Sequence, residues 1–87
     1  MTVLTSRRAV LQGAAPVPGR LRLSDRALRF EPLRGPPVEV PVGAVTAILV
    51  QRRVLVVETA ERALRLRCFG AEGVAGLLLH ACTRSRA

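Results

Sequence analysis

Arg20 and Arg22 flank Leu21, and that spacing carries chemistry. Alternate residues of an extended strand share a face, so the two guanidinium groups can grip one phosphate or carboxylate cluster through paired N–H donors. The plainer reading is the wet face of an amphipathic strand. Catalytic chemistry has little to work with. His80 is the single histidine and Asp25 the single aspartate. No Ser, Thr or Cys has a context that would activate a nucleophile. Gly73-x-x-Gly76 lies in a helical segment and is not a phosphate loop. Cys68 and Cys82 stand far apart with no CxxC, so metal-ligand spacing is absent and two buried, reduced thiols are expected, with a disulfide between them left open. No catalytic residue, metal or cofactor is expected.

Charge needs the same care. All fourteen basic residues are arginine, lysine and asparagine are absent, and the net charge is +8. A basic balance points to anionic partners, yet this composition also reads as a GC-rich, bacterial-type genome writing Arg, Ala, Val and Leu wherever it can. Sequence-specific nucleic-acid binding is not expected. Single-strand binders stack bases on exposed aromatics, and the only two aromatics, Phe30 and Phe69, fall at expected core positions.

The elements that must position Arg20 and Arg22 follow from periodicity. Leu21 and Leu23 alternate with arginines, Ser24-Asp25 break the run as turn formers, and Leu28 and Phe30 resume it, giving two strands around a turn. Strands are expected at about 8–12, 20–23, 27–31, 38–42, 45–51, 54–58 and 62–68. Gly13–Gly19 and Pro32–Pro37 read as loops, and Arg52-Arg53 as a tight turn. Pro41 should face its missing N–H outward at an edge or bulge. From about 71 to 82 the period becomes helical, with Val74, Leu77, Leu78 and Ala81 on one face and His80 and Leu79 off it. Glu72 near the start and Arg84 and Arg86 beyond the end suit the helix dipole, and Thr83–Ala87 reads as a frayed tail. Residues 1–87 make one domain, mainly β with one C-terminal α-helix: a seven-stranded antiparallel barrel or sandwich capped by the helix.

Ser6-Arg7-Arg8-Ala9-Val10-Leu11 mimics a twin-arginine export signal, but Gln12, Gly13 and Pro16 interrupt the apolar run it needs. No segment approaches a bilayer-spanning length. The run reads as a strand beginning near Arg7, and the protein as cytoplasmic.

Strand and helix order resembles the pleckstrin-homology superfold. Gly19-x-Leu21-x-Leu23-Ser24-Asp25-x-x-Leu28-x-Phe30 is similar to the strand 2–turn–strand 3 hairpin of its GRAM branch and of related bacterial domains. Val38-Glu39-Val40-Pro41-Val42-Gly43-Ala44-Val45-Thr46-Ala47-Ile48 is similar to that branch's following strand, bend and strand. The resemblance implies a non-enzymatic binding module. In lipid-binding members a basic residue late in strand 1 precedes a loop and a basic-x-Arg in strand 2; Arg8, eleven residues, then Arg20-Leu21-Arg22 match that spacing. The implied ligand of Arg8, Arg20 and Arg22 is an anionic lipid headgroup or an acidic partner. Gly13–Gly19 departs from the pattern by holding no basic residue.

Two functions remain. The first is a protein-docking or assembly adaptor, with Val38, Val40 and Val42 on an edge strand and Leu79 on the helix as contacts. The alternative is a peripheral membrane adaptor at the inner face of the membrane, using the strand 1–2 arginines. Docking stands first because bacteria seldom offer phosphoinositides.

Overall fold

The computed structural model describes residues 2–86; Met1 and Ala87, the ends of the span read as one domain, lie outside the described residues. Alternation of apolar and polar residues builds seven strands: β1 (Val3–Leu11), β2 (Val17–Ser24), β3 (Ala27–Pro32), β4 (Val38–Pro41), β5 (Val45–Gln51), β6 (Val54–Thr59) and β7 (Ala63–Cys68). A 3-10 turn, Val42–Ala44, joins β4 to β5, and α1 (Ala71–Arg86) closes the chain. All strands form one antiparallel sheet in the order β4-β3-β2-β1-β7-β6-β5. The two strands at its edges, β4 and β5, are neighbours in sequence, so the sheet rolls up around its inner face. It is not closed by hydrogen bonds as a barrel would be. Instead α1 packs on β5, β6 and the 3-10 turn and covers the gap.

Register follows burial. Directly opposed residues of antiparallel strands share a face, and the pairs Leu21↔Phe30, Leu28↔Val40, Leu55↔Leu66 and Val57↔Leu64 all fall on the inner one. A one-residue slip would turn these side chains to water. The helix adds Ala71, Val74, Leu78, Ala81 and Cys82 to the same core. Leu77, expected on that face, is exposed, because the buried stripe is centred on Val74, Leu78 and Ala81–Cys82.

Turn chemistry agrees with the residues. The buried Ser24 hydroxyl accepts from the backbone N–H of Arg26 (3.2 Å) and Ala27 (3.1 Å) and donates to the Ala27 carbonyl (3.2 Å), which fixes the β2–β3 hairpin. Arg52 and Arg53 form the two-residue β5–β6 turn with φ of 50° and 67°. Left-handed conformations at both central positions match the strand twist but disfavour a side chain with a β-carbon.

Several boundaries move. The first strand runs from Val3 to Leu11, not from 8 to 12, and the second starts at Val17, not Arg20. Pro18 and Gly19 read as loop residues, yet they pair with Val10 and Ala9 across β1. Gly19 is needed in that strand: a β-carbon there would overlap the Glu31 carbonyl and the Phe30 ring, where β3 crosses closely. The fourth strand ends at Pro41, leaving Val42 in the 3-10 turn, and Pro41 lies on the edge strand as expected. The helix continues past Cys82 to Arg86, with the Thr83 hydroxyl donating to the Leu79 carbonyl at 2.9 Å. Phe30 is core, whereas Phe69, expected there too, is 78% exposed, because β7 ends at Cys68 and the chain turns outward before α1.

Candidate functional site: an arginine groove

The outer face of β1, β2 and β7 carries the site. On β1, Arg8 stands directly opposite Arg20 of β2. Two places on, Val10 lies between Pro18 of β2 and Arg67 of β7. The β5–β6 turn brings Arg53 alongside, and its carbonyl accepts the Cys68 N–H at 3.1 Å. Together these residues line a groove of about 740 Å³ whose floor includes Ala9, Val10, Pro18 and Gly19. Four arginines, Arg8, Arg20, Arg53 and Arg67, face one carboxylate in it, Glu31.

Two apolar side chains stand at this groove without entering the core. Leu33 is 79% and Phe69 78% exposed. Leu33 is held by its own N–H, which donates to the Pro18 carbonyl at 3.1 Å and extends the β2–β3 ladder by one rung. Phe69 is held on two sides. The Arg53 guanidinium lies over its ring, 5.5 Å from the centroid, within cation–π range. The Arg7 Nη1 donates to its carbonyl at 3.1 Å. Next to it, burial pushes the Cys68 thiol pKa up, while the Arg7 charge works to lower it.

Arg8 and Arg20 meet in the groove, but Arg22 is committed elsewhere. Its Nε lies 3.0 Å from Glu31 Oε1, and Arg29 continues the row with Nε 3.7 Å from Glu31 Oε2 and Nη1 3.5 Å from Glu39 Oε1. This four-member ladder crosses β2, β3 and β4 on the outer face. Arg20 takes a separate partner, with Nη1 donating to Ser6 Oγ at 3.2 Å.

Burial changes the expected docking set. Val40 and Val42 are 2% and 3% exposed, out of reach of any partner, and Val38 is half-buried. Strand alternation places Val38 and Val40 on the inner face with Phe30 and Leu28. The exposed edge of β4 is therefore its backbone, with Glu39 and Pro41. Leu79 is 59% exposed and sits instead by β5, in a shallow hollow of about 260 Å³ with Val45, Ile48, Ala75 and Gly76. The four residues do not form one surface.

Arg53, Arg67, Leu33 and Phe69 were not legible as site residues. Arg67 was recognisable as outward-facing from the alternation of β7. Its nearness to Arg8 was not, since the β1–β7 pairing joins residues from opposite ends of the chain and spans only Ala9–Leu11 with Leu66–Cys68. Among the described residues, no three metal-ligating side chains converge, and no helix is long and apolar enough to cross a membrane.

No family model matches the chain, and no curated protein matches it. Solved structures do. The C-terminal domain of an unknown protein from Leishmania infantum superposes with a TM-score of 0.81 at 17% identity, over 94% of this chain and 84% of that one. The N-terminal pleckstrin-homology domain of human ARAP2 superposes with a TM-score of 0.79 at 16% identity, over 93% of this chain and 80% of that one. Identities this low speak for the fold alone. The open seven-stranded antiparallel sheet, covered by its one C-terminal helix, is a pleckstrin-homology-like fold.

Proposed function

We propose that the protein is a non-enzymatic binding module that seats on an anionic membrane surface through the arginine groove, as a peripheral adaptor at the cytoplasmic face. The resemblance of its β2–β3 hairpin to that of GRAM-like members supports a binding role. One observation carries the reading: the two exposed apolar side chains Leu33 and Phe69 flank the same groove that gathers Arg8, Arg20, Arg53 and Arg67. Leu33 and Phe69 are knobs, not holes. A folded partner would need a pocket for each, whereas a bilayer interface accepts both at once. Each arginine near an anionic surface contributes about 1 kcal/mol, and a fully buried Leu or Phe side chain about 1.5–3 kcal/mol. Partial insertion of the two would bring the total to about 7 kcal/mol, a dissociation constant on the order of 10 µM.

Co-sedimentation with phosphatidylserine–phosphatidylcholine vesicles, against phosphatidylcholine alone, tests this. Binding to the anionic vesicles is expected, with Arg8→Glu plus Arg20→Glu abolishing it and Arg22→Gln leaving most of it. Equal binding to both vesicles, or to neither, would overturn the reading.

Docking of a protein partner is the second reading. Leu79, exposed in the hollow beside β5, favours it. It takes precedence if a partner co-purifying with the native protein is released by Leu79→Glu but retained by the Arg8→Glu, Arg20→Glu double variant.

A further inference from the structure

The adjacent arginines of the Ser6-Arg7-Arg8 run part company in β1. Arg8 faces outward, opposite Arg20, while Arg7 faces inward, opposite Leu21. Residues before Ala9 have no partner on β7, so Arg7 lies where β1 runs past the β7–α1 junction. There it is half-buried, its Nε donating to Thr5 Oγ1 at 3.3 Å and its Nη1 to the Phe69 carbonyl at 3.1 Å. Gly70, with φ of +67°, makes room: a β-carbon at that position would overlap the guanidinium. Phe69 is thus clamped by its carbonyl from Arg7 and by its ring from Arg53.

We infer that Arg7 is a positioning residue: it contacts no ligand itself, but locks the β7–α1 junction so that Phe69 is held ready at the groove before binding. An exposed aromatic on a loose junction loses conformational freedom when it binds; one already fixed does not. The inference rests on the membrane reading for the use to which Phe69 is put. The clamp itself does not depend on that reading.

The experiment has two arms on the full chain. Amide hydrogen exchange of the free protein reads the clamp directly: Arg7→Gln is expected to speed exchange at the two bonded amides that flank the junction, Cys68 (to the Arg53 carbonyl) and Val74 (to the Gly70 carbonyl), while leaving β2 and β3 unchanged. Thr5→Val, a near-isosteric change that removes only the Nε acceptor, is expected to give a smaller effect at the same amides. Vesicle co-sedimentation then reads the consequence. Arg7→Gln is expected to weaken binding to phosphatidylserine–phosphatidylcholine vesicles by roughly three- to tenfold, with the dependence on salt unchanged, and to have no further effect in a Phe69→Ala background. Unchanged exchange at Cys68 and Val74 overturns the inference. So does a full Arg7→Gln effect in the Phe69→Ala background, or a shallower salt dependence, which would make Arg7 a lipid contact. If the unmodified protein ignores anionic vesicles, the membrane reading falls and the exchange arm alone decides whether the clamp exists.

Discussion

Arg8 and Arg20 stand directly opposite one another on neighbouring antiparallel strands, two cations on one sheet face, with the Glu31 carboxylate on the far side of Arg20. Opposed like charges work against a sheet by a few tenths to about 1 kcal/mol. Arg8→Gln should therefore stabilise the free protein, by up to about 1 kcal/mol in urea unfolding, while weakening its binding to anionic vesicles. A variant that loses stability and binding together would show that Arg8 serves the fold.

Similar tension sits in the β5–β6 turn. Arg52 and Arg53 both adopt left-handed φ, which disfavours a residue with a β-carbon by about 1–2 kcal/mol each. Replacing the pair by Asn-Gly, the residues this turn geometry prefers, should stabilise the protein by about 1 kcal/mol after the greater unfolded-state freedom of Gly is counted. It should also remove the Arg53 contact to the Phe69 ring and weaken vesicle binding. Unfolding curves and co-sedimentation of the Arg52→Asn, Arg53→Gly variant check both halves.

The two phenylalanines should separate cleanly. Phe30 is fully buried against Leu21 and Val38, and Phe30→Ala should destabilise by about 3–5 kcal/mol, a large fraction of a small domain's stability. Phe69→Ala should change stability by less than about 1 kcal/mol and act on binding. Comparable losses of stability in the two variants would place Phe69 in the core after all.

Burial raises the Cys68 pKa, with Arg7 only partly opposing it. The thiol therefore stays protonated in the folded state at pH values where the unfolded thiol has ionised. Its contribution to stability is fully present below the ordinary thiol range and is lost as pH rises through and above it. Cys68→Ala should flatten that alkaline decline, measured by urea unfolding as a function of pH. Alkylation of Cys68 in the native protein at neutral pH should be slow compared with an unfolded control.

How much of this could be read beforehand depends on the range of each interaction. The β2–β3 hairpin was legible from Leu21 to Phe30, because alternation and the Ser24-Asp25 turn are local signals. The inward set of β7 was legible for the same reason. The strand ends were not: Pro18 and Gly19 carry loop propensities that pairing with β1 overrides. Phe69 marks the same limit. An aromatic straight after a strand looks like a core residue. The chain's turn at Gly70 puts it outside instead. The groove itself joins residues 8, 20, 53 and 67 through strand neighbours set by the whole sheet, which no local pattern reports.

The linear strand order leaves two edges that could recruit further copies of the chain into a growing sheet. Each is guarded. β4 is only four residues long, ends in Pro41, which cannot donate, and presents Glu39 outward, all features that discourage strand addition. β5 is irregular between Val45 and Ala47 and lies under α1. A protein built this way can be crowded at high local density while its sheets stay separate, so the fold resists aggregation under the very condition that gathering on a surface would create.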